Sequence, residues 1–147
     1  MTAVPLPIER EAAKGVPMTK ILIIEDNEGV REEIVDILRY AGYDVRDAEN
    51  GRLGLELVAQ WVPDLVVCDL MMPELDGYAT LAAMRADPAS ATIPFLCLTA
   101  RGEQRDMQKA MALGADDYLR KPFTTDELLA TLESLLTKLE LAAERAR

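Results

Sequence analysis

Three carboxylates, one hydroxyl and one amine stand at the ends of short apolar runs. Glu25 and Asp26 follow the run 21–24, Asp69 follows 65–68, Thr99 follows 94–98, and Lys121 comes just after 117–119. If those runs are parallel strands, all five side chains meet at one sheet edge. Three carboxylates in a small cleft repel one another strongly. A hard divalent cation with oxygen ligands relieves that repulsion, and Mg²⁺, with Mn²⁺ as a substitute, suits a few carboxylates plus waters and phosphate oxygens. Lys121 adds a fixed positive charge and Thr99 a hydroxyl able to donate to a phosphoryl oxygen. An aspartate is a competent nucleophile toward phosphorus, so the set fits phosphoryl transfer onto Asp69. Each part has a plainer reading taken singly. An acidic doublet after a strand also serves as a solvated turn or cap, Lys-Pro as loop punctuation, and a strand-terminal Thr as a local hydrogen-bonding group. One such residue at each strand end is the observation that favours chemistry.

The elements that must position these groups can be read from periodicity. Val30, Ile34, Ile37, Leu38 and Ala41 recur at helical spacing, with Gly42 as a stop. A more polar strand is expected over 43–48, and Asn50 caps a helix carrying Leu53, Leu57, Val58 and Trp61. Further helices are expected over 78–86 and 105–113, the latter closed by Gly114, and a last one opens at Thr124 or Thr125. Five strands alternating with five helices predict an α/β fold, a doubly wound parallel sheet covered on both faces. Ligands of such sheets bind at the carboxyl ends of the strands. Residues 1–17, with Pro5, Pro7 and Pro17 and no sustained periodicity, read as a flexible leader. The domain is expected over 18–138, followed by a helical C-terminal extension over 139–147.

Composition narrows the function. The chain has 147 residues, half of them apolar, and a formal net charge of −10. No Lys/Arg cluster is long enough to make a basic face, so neither direct nucleic-acid nor membrane-surface binding is expected. No apolar run approaches a transmembrane length and no signal-peptide layout is visible, which predicts a cytoplasmic protein. Cys68 and Cys97 lie inside apolar runs and read as small buried hydrophobes. Histidine is absent. That excludes Ser-His-Asp and Cys-His catalysis and any His-ligated metal within the chain, and the chain cannot itself be a histidine kinase or phosphotransfer protein.

Four segments carry a family resemblance: Ile-Ile-Glu-Asp-Asn (23–27), Pro-Asp-Leu-Val-Val-Cys-Asp-Leu-Met-Met-Pro-Glu-Leu-Asp-Gly (63–77), Leu-Thr-Ala (98–100) and Gly-Ala-Asp-Asp-Tyr-Leu-Arg-Lys-Pro-Phe (114–123). Over residues 18–138 the sequence resembles the response-regulator receiver domains of two-component phosphorelays. The resemblance implies a flavodoxin-like (βα)5 fold with strand order 2-1-3-4-5. It makes Asp69 the phosphoacceptor, and places Mg²⁺ on Glu25, Asp26, Asp69 and the main-chain carbonyl of Met71. It pairs Lys121 with the phosphoryl group, makes the Lys121–Pro122 bond cis, and makes Thr99 and Tyr118 a switch pair acting on the face of the fourth helix, fifth strand and fifth helix. The partner it implies is a sensor histidine kinase or a histidine phosphotransfer protein, docking beside the first helix. Such a protein is not an enzyme toward external substrates. Pro73 and Gly77 would let the loop after Asp69 bend and aim a carbonyl at the metal.

The sequence departs from relatives at informative positions. Met71 and Arg101 occupy the two positions that tune phosphoryl lifetime in the family; neither orients a water, so slow self-dephosphorylation is expected. Winged-helix relatives dimerise through basic residues of the last helix, where Thr131 and Glu133 stand here. Leu128, Leu132, Leu135, Leu139 and Ala142 form a heptad-like seam, read either as ordinary packing up to Leu135 or Leu136 followed by a frayed, charged tail, or as a signalling helix that forms a homodimer or leads into an output domain. Two rivals differ in class. A haloacid-dehalogenase-type phosphatase would need a second Asp at position 71, and a docking module without phosphorylation would have no need of Asp69, Thr99 and Lys121.

Overall fold

The computed structural model describes residues 18–72, 74–100 and 104–145, except for the side chains of 142–144. The leader 1–17, Pro73, Arg101, the Ala142 side chain and residues 146–147 lie outside that description. Ten elements alternate along the chain: β1 (Lys20–Ile24), α1 (Glu28–Tyr40), β2 (Asp44–Ala48), α2 (Gly51–Trp61), β3 (Leu65–Asp69), α3 (Gly77–Ala86), β4 (Phe95–Thr99), α4 (Gln104–Ala112), β5 (Asp117–Arg120) and α5 (Thr125–Arg145). The strands form one parallel sheet in the order β2-β1-β3-β4-β5, as the doubly wound flavodoxin-like reading requires.

The burial of each strand follows from its place in that order. β3 and β4 are buried at every position, and β1 at every position after Lys20. β2 and β5 are edges; β2 buries only Val45 and Ala48, and β5 only Leu119. Successive side chains point to opposite faces. Leu22, Ile24, Val66, Cys68 and Cys97 therefore enter one core with Val58 of α2, Leu81 and Met84 of α3, and Ala110 of α4. Ile21, Ile23, Leu65, Val67, Leu96 and Leu98 enter the other with Ile34 and Leu38 of α1 and Leu128, Leu132 and Leu135 of α5. Each fully buried Ile or Leu stabilises the fold by roughly 1.5–3 kcal/mol, so the three central strands dominate the packing. Cys68 and Cys97 are neighbours across β3 and β4, and both are free and buried.

Helix starts are set by side-chain caps. Oδ1 of Asn27 accepts from Val30 N–H at 3.0 Å, and Oδ1 of Asn50 from Leu53 N–H at 2.9 Å. α3 begins at Gly77, one residue before the expected start, because Asp76 caps it and accepts from Ala79 N–H at 2.8 Å. Thr124 and Glu127 cap α5 reciprocally, each main-chain N–H donating to the other's side chain at 3.1 Å. α1 ends at Tyr40 with Ala41 as its C-cap, and Gly42 follows with a φ of +98°, in the region glycine tolerates. β2 starts at Asp44 rather than Tyr43, and α4 runs one residue ahead of its expected bounds. α5 is continuous through Arg145, but its inward row stops at Leu135; Leu139 and Leu141 are 36% and 47% exposed.

Candidate functional site

β1, β3, β4 and β5 deliver their C-terminal residues to one sheet edge. Glu25 follows β1 and is fully buried, Asp69 ends β3 and is nearly so, and Asp26 beside them is exposed. One carboxylate oxygen from each of Glu25, Asp26 and Asp69 lies within 4.8 Å of the others. Lys121 reaches across from the end of β5. Its Nζ donates to Glu25 Oε1 at 2.5 Å and to Asp69 Oδ2 at 2.9 Å. The structure thus brings together four of the five groups, which are separated by up to 96 residues in sequence.

Local geometry explains the placement. Glu25 N–H donates to Ala48 O at 3.1 Å, which extends the β1–β2 ladder one residue and turns the side chain inward. Asp69 Oδ1 accepts from Met71 N–H at 3.2 Å, so the following loop folds back over the carboxylate. Gly77 closes this loop, its N–H donating to Leu70 O at 3.0 Å. A Cβ here would sit 2.4 Å from the Asp69 carbonyl oxygen. Close approach, rather than backbone freedom, is therefore the reason for glycine at 77.

Burial raises the Glu25 carboxyl to about 7 even though Lys121 opposes the shift, and Asp69 and Asp26 push in the same direction as burial. For Lys121 burial acts downward, but the bonds to Glu25 and Asp69 outweigh it and raise the ammonium pKa. Thr99 is 1% exposed, and its Oγ1 has no hydrogen-bond partner. A buried hydroxyl without a partner is costly. Tyr118 lies on β5, 38% exposed, and its neighbour in the sheet is Cys97. Met71 is 64% exposed, and the Lys121–Pro122 peptide bond is cis.

The donor set suits a hard cation: three carboxylates from two strand ends, one of them open to water, and no softer ligand in the cluster. Arg31 of α1 was not anticipated from sequence. Its Nη1 donates to the Glu25 main-chain oxygen and its Nε to Asp47 Oδ2, both at 2.9 Å. No local pattern links residues 25, 31 and 47, so only the fold reveals the contact. A cavity of about 540 Å³ opens beside Lys121, walled by Val30, Ile34 and Ile37 of α1 and by Pro122 and Phe123. Among the described residues no helix is long and apolar enough to cross a membrane.

The chain is similar to known proteins in sequence and in fold. The chain is 40% identical over 130 residues to the DNA-binding dual master transcriptional regulator RpaA of Synechocystis, covering 88% of this chain and 54% of that protein. It is 41% identical over 119 residues to the response regulator MprA of Mycolicibacterium vanbaalenii, covering 81% of this chain and 51% of that one. Among solved structures, the chemotaxis protein CheY4 of Vibrio cholerae superposes with a TM-score of 0.77 at 31% identity, over 80% of this chain and 98% of that one. The chain spans about half the length of the curated relatives named. The expectation of no direct nucleic-acid binding fails for relatives of this kind, since RpaA is itself a DNA-binding regulator. The physical reason is that a net charge of −10 belongs to this chain alone. A basic footprint is a property of the segment that touches phosphate, and the match leaves nearly half of those relatives uncovered. The family described as the response regulator receiver domain matches residues 21–133, and the chain belongs to it.

Proposed function

We propose that Asp69 accepts a phosphoryl group from a phosphohistidine on a sensor histidine kinase or phosphotransfer protein, and that the chain uses this to relay a signal. The observation that carries the proposal is the convergence of Glu25, Asp26 and Asp69 within 4.8 Å, with Lys121 bonded to two of them. A half-buried lysine bridging two carboxylates at the end of the sheet meets the need of a phosphoryl group arriving at Asp69.

Receivers of this family hold Mg²⁺ at an acidic pocket, and here Glu25, Asp26, Asp69 and the main-chain carbonyl of Met71 would hold it. Bound there, the ion supplies charge neutralisation for the transferred group. The chain's own residues do the remaining work. Asp69 attacks in line through a carboxylate oxygen, and the histidine nitrogen leaves with the electron pair of the broken bond. Lys121 exchanges its contact with Asp69 for one with the phosphoryl oxygens, and Thr99 Oγ1 gains the acceptor it lacks. In this reading Tyr118 turns inward as Thr99 moves, altering the surface made by α4, β5 and α5. The donor protein approaches beside α1, next to the cavity at Lys121. Transcriptional relatives make control of a DNA-binding output the natural consequence. The chain transforms no external substrate.

Intact-mass measurement after incubation with Mg²⁺ and acetyl phosphate tests the proposal. Wild type is expected to gain one phosphoryl group, and Asp69→Asn none. An unlabelled, folded wild type in the presence of Mg²⁺ would instead favour docking without phosphorylation.

A further inference from the structure

Glu25 is held at four points. Its N–H bonds to Ala48 O, its Oε1 to Lys121, its Oε2 accepts from Asn27 N–H at 3.3 Å, and its main-chain oxygen accepts from Arg31. The Arg31 contact differs in kind from that of Lys121. Lys121 occupies carboxylate oxygens that a cation would need, whereas Arg31 takes only the main-chain carbonyl and leaves those oxygens free. That carbonyl belongs to the planar peptide joining Glu25 to Asp26, so fixing it orients two of the three clustered acids at once. Asp47 on β2 holds the other arm of the guanidinium, and the Arg31 side chain is only 14% exposed. A planar guanidinium holds these two acceptors in one fixed fork geometry; an ammonium offers no such fork.

We infer that Arg31, anchored by Asp47, is a positioning residue for the cation site. It aims the Glu25–Asp26 peptide and brings positive charge to the cluster without taking a ligand oxygen. The inference rests on the cation reading of Glu25, Asp26 and Asp69, and it ties the phosphorylation site to β2, an edge strand that contributes no acid to the cluster. Groups that orient metal ligands without touching the metal typically alter affinity by roughly 10- to 100-fold when removed.

Mn²⁺ titration of the full chain, read from the electron paramagnetic resonance of the free ion, tests this without any phosphodonor. Wild type is expected to bind one ion. Arg31→Ala is expected to weaken binding roughly tenfold or more, Arg31→Lys to recover part of the loss, and Asp47→Asn to fall between wild type and Arg31→Ala. Thermal unfolding in EDTA provides the control, because a purely structural role would lower the metal-free midpoint and leave the affinity unchanged. Arg31→Lys and Asp47→Asn keep the size of the side chains, so they answer the question even if Arg31→Ala fails to fold. Affinities within twofold of wild type in the folded variants would overturn the inference alone. A wild type that binds no Mn²⁺ would overturn both it and the cation site beneath it.

Discussion

Glu25 is fully buried, and its carboxyl is raised well above its ordinary range, with burial the main cause. Its folded pKa of about 7 lies above the ordinary value of 4.5, so the protonated form is favoured by folding. The stability this contributes is complete below pH 4.5 and is lost as pH rises through 7. In EDTA, wild type is therefore expected to lose stability relative to Glu25→Gln between those values. The loss is on the order of 3 kcal/mol at the ~1.4 kcal/mol carried by each pH unit of proton linkage. Urea unfolding of both proteins at pH 4.5, 6 and 7.5 measures it; parallel curves would show that Glu25 titrates normally. Met71 supplies a second residue-scale prediction. Its N–H holds Asp69 while its thioether side chain, 64% exposed, offers nothing that orients a water. Met71→Asn introduces an amide at that position. One oriented hydrogen bond worth about 1.4 kcal/mol in the transition state gives roughly tenfold faster dephosphorylation, checked by the decay of phosphorylated mass with time.

Among the elements, α5 shows most clearly how one spacing can serve two environments. Leu128, Leu132 and Leu135 are buried against β1, β3, β4 and β5, while Leu139, next in the same row, is 36% exposed. The helix continues because its residues favour helix, not because the sheet continues beneath it. Leu132→Ala is expected to cost about 2–5 kcal/mol, and Leu139→Ala less than about 1 kcal/mol, by thermal or urea unfolding. Equal costs would mean that the last turns are covered in solution. At the other side of the molecule, Arg85 at the end of α3 bonds to Ile93 O, Gly114 O and Asp116, joining α3 to the turn before β5. None of these pairings was legible in sequence, because each partner is an ordinary loop residue until the sheet places it.

For the whole molecule, the sheet divides into a fully buried centre and two half-exposed edges. Amide exchange is therefore expected to be slowest in β1, β3 and β4, and faster in β2 and β5, when followed by mass spectrometry on the native protein. Uniform protection across the five strands would contradict that division. Sequence alone was enough for the alternation of elements, the parallel sheet and the residues at its carboxyl edge, because strand and helix periods are local properties and a parallel sheet needs apolar central strands. The motifs of residues 23–27, 63–77, 98–100 and 114–123 were equally legible, and with them the family. Asn50 and Gly42 were readable as helix boundaries because capping depends on the nearest few residues. The tertiary structure decided what depends on distance: that Lys121 bridges Glu25 and Asp69, that Thr99 Oγ1 is left without a partner, that Gly77 is required by a carbonyl 2.4 Å away, and that Arg31 of α1, held by Asp47 of β2, grips the Glu25 peptide. Side chains from different strands acquire partners, burial and shifted protonation only when the sheet closes, so no linear pattern can record them.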